Sequence, residues 1–192
     1  MPEGRLDLMG MSYGGWLAGQ YALRSPNRLR KVVLLAPGAT VLPMSLGFLI
    51  RIALIAMPFR GRRGTAVHRM VRWLFQDLVR KGDAGRGPAA MSIADVIAAI
   101  ELDRFFALPW MIWPTVIDDE AWRRFTVPGL FLVGENQKIY TARAAVRRLN
   151  RVAPRIKTEI IPGAGHDLTL VQADPVAETI LRFLAEPPAV NA

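Results

Sequence analysis

Gly10-Met11-Ser12-Tyr13-Gly14-Gly15 follows the short apolar run Leu6-Asp7-Leu8-Met9 and opens the helical pattern Trp16-Leu17-Ala18-Gly19-Gln20-Tyr21. A serine between a strand and a helix, with glycines two residues to either side, fits the sharp turn called a nucleophile elbow. Such a turn strains the serine backbone, and glycines at Gly10 and Gly14 avoid the collisions that flanking side chains would make. The hydroxyl of Ser12 is then lifted to the top of a sheet. The helix N-terminus just beyond it adds N–H groups and a partial positive charge where an oxyanion would form. A plain tight turn could carry the same six residues; the strand before and the helix after favour the elbow.

Outward from this turn the chain alternates strand and helix. Leu6 to Met9 reads as a short buried strand, apolar as a central parallel strand would be. Gly15 to Leu23 reads as a helix that ends near Ser25-Pro26, because proline disfavours helix in the residue before it. Val32-Val33-Leu34-Leu35 is a second buried strand, so the spacing makes a βαβ unit and a parallel sheet. The rhythm returns at Val127 to Gly134, a third strand. A helix from a Thr141 cap through Leu149 follows, then a more polar edge strand at Lys157 to Ile161. Asp174-Pro175 supplies a cap and a first-turn proline for a last helix through Ala185, with Glu186 to Ala192 as a frayed tail.

Between Thr40 and about Trp122 three helical patterns replace that rhythm: Ser45 to Met57, apolar nearly all round; Ala66 to Lys81, with Met70, Trp73, Leu74 and Leu78 on one face; and Ser92 to Ala107. Lys81 to Pro88 is a glycine- and proline-bearing loop, and Leu108 to Trp113 is rich in tryptophan and proline. An all-helical insert between two strands of a parallel sheet resembles a lid over a pocket. Its aliphatic and aromatic content suits an apolar substrate, and plain packing accounts for the same residues equally well.

Composition narrows the class. With 192 residues, 52% hydrophobic and 21% charged, the chain is long and apolar enough for one globular domain. It has no cysteine, which removes disulfides and thiolate metal sites and fits a reducing, cytoplasmic setting. No signal peptide is read at the start, and the most apolar stretch, Leu42 to Phe59, is broken by Pro43, Gly47, Arg51 and Pro58. The net charge of +9 comes mostly from arginine, densest at Arg60-Gly61-Arg62-Arg63. No nucleic-acid motif accompanies it, so nucleic acid is not an expected partner. Weak contact of Leu46 to Phe59 and this cluster with an anionic membrane surface stays as a minor reading.

A serine hydroxyl needs a base within hydrogen-bond reach. The chain has two histidines. His68 lies in an arginine-rich helical pattern and reads as surface or packing. His166, in Gly163-Ala164-Gly165-His166-Asp167, lies in a loop after the fourth strand, where active sites of parallel sheets gather. It is the candidate base.

These stretches together resemble the α/β-hydrolase family, in its lid-bearing esterase, lipase and haloperoxidase-like branch. The resemblance rests on Gly10 to Gly15, on Pro26 through Leu35, on Val127-Pro128 leading to Val133-Gly134-Glu135, and on Gly165-His166. It implies an α/β fold with a parallel sheet of about four strands, the C-terminal half of that family's sheet, with flanking helices. Residues 1–40 and 123–192 would form the partial core and 41–122 a helical lid insert. It further implies a serine hydrolase acting on an ester or related acyl bond of a small, apolar molecule. Ser12 would be the nucleophile, His166 the base and the Tyr13 N–H the oxyanion donor, with no metal or organic cofactor required.

The chain departs from the family pattern twice. The family's acid falls three residues past the glycine, where this chain has Gln137 in Gly134-Glu135-Asn136-Gln137. A glutamine oxygen can accept from an imidazole N–H but brings no charge to stabilise imidazolium, and such an exchange lowers turnover by about 10⁴ in a serine-protease triad. Glu135, nearby and longer in reach, is the alternative acid; a structural carboxylate bonding backbone N–H groups is its competing role. Asp167 is a poorer third choice. In addition, only Met1 to Arg5 precede the elbow strand, so the loop that would bring a second oxyanion donor has no counterpart. Losing one such donor costs roughly 10² to 10³ in rate. The first strand is left with an apolar edge prone to self-association. The chain is therefore expected to be a truncated product, and a non-catalytic hydrolase-like fragment or binding protein is the rival reading.

Overall fold

The computed structural model describes residues 4–56, 63–81 and 112–187. The four strands are β1 (Leu6–Met11), β2 (Leu29–Leu35), β3 (Gly129–Gly134) and β4 (Ile156–Ile161). Among the described residues the helices are α1 (Tyr13–Arg24), α2 (Leu46–Ala56), α3 (Arg63–Leu74), α4 (Gln76–Lys81), α5 (Asp119–Arg123), α6 (Ala142–Val152), α7 (Leu168–Val171) and α8 (Ala173–Ala185). The expected helix Ser92 to Ala107, nearly all of the loop Lys81 to Pro88, most of Leu108 to Trp113 and of the Arg60 to Arg63 cluster, and the end of the tail lie outside the described residues. The chain divides into two compact units, Met1–Pro43 with Pro114–Ala192, and Met44–Trp113.

In the first unit the strands pair in parallel in the order β1-β2-β3-β4, as the alternation of strand and helix requires. Val32, Leu34, Phe131, Leu132 and Val133 are fully buried, which is why β2 and β3 are continuous apolar runs. β4 alternates between buried and exposed positions, as a half-covered edge strand does. β1 is not central: among the described residues it has β2 as its one neighbour, and Leu6 and Met9 are 46% and 59% exposed. With all strands parallel, the loops that follow Met11, Leu35, Gly134 and Ile161 emerge at one edge of the sheet.

Local chemistry moves some boundaries. The last helix begins at Ala173, not Asp174, and the short α7 precedes it. Asp174 and Pro175 thus fall in the first turn, where a carboxylate meets the positive end of the dipole and a missing N–H is tolerated. Thr141 precedes α6 as expected, yet its side chain makes no capping hydrogen bond. The helix expected over Ala66 to Lys81 starts at Arg63 and breaks at Phe75. The helix α5 is not expected from the sequence, although Asp118 caps it by accepting from Ala121 N–H at 2.7 Å and Trp122 is fully buried within it. The tail is not frayed at its start: Lys157 bonds the Glu186 carboxylate, and Lys31 reaches the backbone oxygens of Phe183, Leu184 and Glu186 at the end of α8.

In the second unit, Arg51 on α2 donates to the Gly47 carbonyl and lies 4.0 Å from the centre of the Trp73 ring on α3. Leu46, Leu49, Ile50 and Leu54 of α2 are exposed, whereas Phe48, Met70 and Val71 are buried. No helix among the described residues is long and apolar enough to cross a membrane.

Candidate active site

Ser12 joins β1 to α1 with φ 53° and ψ −117°, a conformation that L-residues rarely adopt. Three backbone bonds hold it there: Ser12 N–H to Leu35 O at 2.9 Å, Gly38 N–H to Ser12 O at 2.9 Å, and Trp16 N–H to Ser12 O at 3.1 Å. The strain is thus fixed by β2 and by the loop after it, not by the turn alone. The glycines divide differently from the motif reading. A Cβ on Gly10 would lie 2.1 Å from Gly14 O, and one on Gly15 would lie 2.8 Å from Pro37 Cβ, but one on Gly14 would meet nothing within 4 Å. Gly10 and Gly15 are the sterically required pair. Tyr13 is the first residue of α1, so its N–H lies at the positive end of the helix dipole.

The loop after β4 brings His166 to this turn. It is seated against the end of β3: Asn136 N–H donates to Ala164 O at 2.8 Å and Glu135 N–H to Ile161 O at 2.9 Å. Gly134 permits the approach, since a Cβ there would lie 2.2 Å from Gly165 O. The buried Asp167 carboxylate accepts from Gly165 N–H at 3.0 Å and helps shape the same loop. His166 Nε2 lies 2.9 Å from Ser12 Oγ, across 154 residues of sequence. The ring is buried, and burial pushes its pKa down from the ordinary 6.5 to about 4, because imidazolium loses its hydration there. Neutral imidazole is therefore the form present near neutral pH.

On the other side of the ring, Gln137 Nε2 lies 3.1 Å from His166 Nδ1. Contrary to the expectation that it could accept from the imidazole, the amide oxygen of Gln137 faces away from the ring and accepts from Lys138 N–H at 2.9 Å and from Ile139 N–H at 3.2 Å. Glu135 is engaged elsewhere. Its carboxylate accepts from Gly163 N–H at 3.4 Å, lies 3.8 Å from the Arg143 guanidinium, and is 45% exposed. Ser12, His166 and Gln137 are thus brought together, Glu135 is not at the ring, and His68 sits on α3 in the other unit. The direction of the Gln137 amide escaped sequence reading, because the N–H groups that fix it belong to a turn whose shape residue identities do not reveal.

Known proteins share this arrangement of strands. The chain is 28% identical to the uncharacterized carboxylesterase nap of Bacillus subtilis (strain 168) over 188 residues, covering 92% of this chain and 55% of that protein. It is 26% identical to carboxylesterase YbfK of the same organism over 180 residues, 92% of this chain and 56% of the other. The crystal structure of naproxen esterase (carboxylesterase NP) from Bacillus subtilis superposes with a TM-score of 0.73 at 25% identity, covering 94% of this chain and 60% of that one. The chain thus spans little more than half the length of the curated relatives it matches. Residues 2–179 match the alpha/beta hydrolase family, and with nearly its whole length accounted for in this way the chain belongs to that family.

Proposed function

We propose that this protein hydrolyses carboxylic esters of small, apolar molecules, with Ser12 as nucleophile and His166 as the proton carrier. Ser12 Oγ bonds to the acyl carbon while its proton passes to His166 Nε2. The alcohol leaves with that proton, and water repeats the sequence to free the acid. The Tyr13 N–H, at the start of α1, donates to the oxyanion that forms on the acyl oxygen. Neither a metal nor an organic cofactor enters this scheme. The observation that carries the reading is the 2.9 Å contact between Ser12 Oγ and His166 Nε2 at a backbone position held at φ 53°. Likeness to carboxylesterases at 26–28% identity supports the ester as the bond attacked.

Prolonged exposure to a fluorophosphonate, followed by peptide mass analysis, tests it. The expected result is a single adduct on Ser12, absent in Ser12→Ala, with hydrolysis of p-nitrophenyl esters lost in the same variant. Unlabelled Ser12 after exhaustive treatment would overturn the hydrolase reading in favour of an acyl-binding protein, the reading that the uncharged Gln137 favours.

A further inference from the structure

We propose that Gln137 is a positioning residue that keeps neutral His166 protonated on Nε2, the tautomer that donates to Ser12 instead of accepting from it. The inference rests on the ester-hydrolase reading above and adds a built-in brake to it.

The argument begins with the amide. Its two ends are chemically distinct, and one of them receives the N–H groups of both Lys138 and Ile139. Only the oxygen can accept, so the NH₂ group is the end directed at His166 Nδ1, 3.1 Å away. An N–H donor requires a lone pair opposite it. In neutral imidazole one nitrogen carries the proton and the other the lone pair, so Nδ1 accepts and Nε2 holds the hydrogen. Nε2–H then donates to Ser12 Oγ across 2.9 Å. A nitrogen already protonated cannot take the serine proton.

Reaching the competent tautomer requires moving the ring proton from Nε2 to Nδ1. That sets Nδ1–H against the NH₂ of Gln137. Turning the amide over to relieve this conflict would direct its NH₂ at the N–H groups of Lys138 and Ile139. Either arrangement sets donor against donor at a buried site, so the three hydrogen bonds hold the resting tautomer as a unit. Because burial keeps the ring uncharged near neutral pH, it is the tautomer that decides whether Nε2 can act as a base. A carboxylate of the same length reverses the pattern: one oxygen can accept both backbone N–H groups while the other accepts from Nδ1–H, leaving the Nε2 lone pair for Ser12. Gln137→Glu is close to isosteric; it makes that reversal and also adds one negative charge beside the ring, so the tautomer is read from the ring nitrogens and not from the rate alone.

Ring ¹⁵N spectra of His166 in the full chain at pH 7 read the tautomer directly. The expected spectrum has protonated Nε2 and unprotonated Nδ1 in the wild type, reversed in Gln137→Glu. The same variant is expected to raise turnover of p-nitrophenyl acetate by roughly 10² to 10⁴, with KM little changed. Wild-type protein with its proton on Nδ1 overturns the proposal, and this spectrum alone decides it should Gln137→Glu fail to fold. If the tautomer is as assigned and reverses in Gln137→Glu, yet esters are still not turned over, the tautomer assignment stands and the hydrolase reading falls.

Discussion

A methyl group on Gly10 would lie 2.1 Å from the carbonyl oxygen of Gly14, whereas one on Gly14 itself would meet no atom within 4 Å. The two glycines of the serine motif are therefore unequal. Backbone atoms cannot yield as a flexible side chain can, so Gly10→Ala must displace β1 or α1. It is expected to destabilise by several kcal/mol, on the order of 3, and to abolish labelling of Ser12. Gly14→Ala sits in the first turn of α1 and is expected to change stability by no more than about 1 kcal/mol, with better helix propensity in its favour. Urea unfolding of both variants checks the asymmetry; equal losses would refute it.

The parts of the fold that sequence reading captured depend on neighbours along the chain. The elbow was legible because its glycines, the strand before it and the helix after it lie within a few residues. So were β2, β3 and the parallel order, since Val32 to Leu35 and Leu130 to Val133 are unbroken apolar runs. What stayed hidden depends on distant contacts. Gly15 is required by Pro37, twenty-two residues later, as well as by Gly10 O of its own turn, which would lie 3.0 Å from its Cβ. Glu135 has the side-chain length to serve a histidine, but Gly163 N–H and Arg143 draw it elsewhere. Position 137, which the resemblance to hydrolases singles out, lies beside the ring, while the direction of its amide depends on Lys138 and Ile139 N–H.

Gly134 joins the end of β3 to the histidine loop, with Gly165 O only 2.2 Å from where its Cβ would be. Gly134→Ala is expected to push that loop outward and lengthen the Ser12–His166 contact without touching either residue. Ester turnover and fluorophosphonate labelling should fall by at least about tenfold, since misplacement of a reacting group by 1 Å can cost about 10². A crystal structure of the variant with Ser12 Oγ and His166 Nε2 still 2.9 Å apart would show that the loop is seated by other contacts.

His166 gives stability a pH dependence of known sign. Its pKa is about 4 when folded and near 6.5 when unfolded, so between these values the unfolded chain binds the extra proton. The stability associated with a neutral ring is fully present above pH 6.5 and is lost as pH falls towards 4, a loss of about 3 kcal/mol. Urea unfolding of wild type and His166→Gln between pH 4 and 7.5 isolates it, because every other ionisable side chain is common to the two proteins. A difference that does not change with pH would mean that the ring is hydrated. Gln137→Glu adds a charge that favours imidazolium, so the acid limb of any ester turnover should move upward in pH relative to wild type.

Arg148 of α6 fastens the two points where the chain leaves and rejoins the first unit. Its guanidinium donates to Val41 O, to Ile117 O at 2.9 Å, and through Nε and Nη2 to Asp119 Oδ1 at 2.9 and 2.6 Å, while Ile117 N–H donates to Thr40 O at 2.9 Å. A planar fork is needed to meet two carbonyls and a carboxylate at once, and an ammonium at that position cannot span them. Arg148→Ala leaves half-buried acceptors without their cation and is expected to cost about 2–3 kcal/mol. Arg148→Lys should recover less than half of that. Hydrogen exchange at Ile117 N–H gives the local reading: it should speed up in both variants well beyond exchange in β2 and β3. Unchanged protection at Ile117, with stability within about 0.5 kcal/mol of wild type, would mean that the Thr40–Ile117 pairing closes this segment without Arg148.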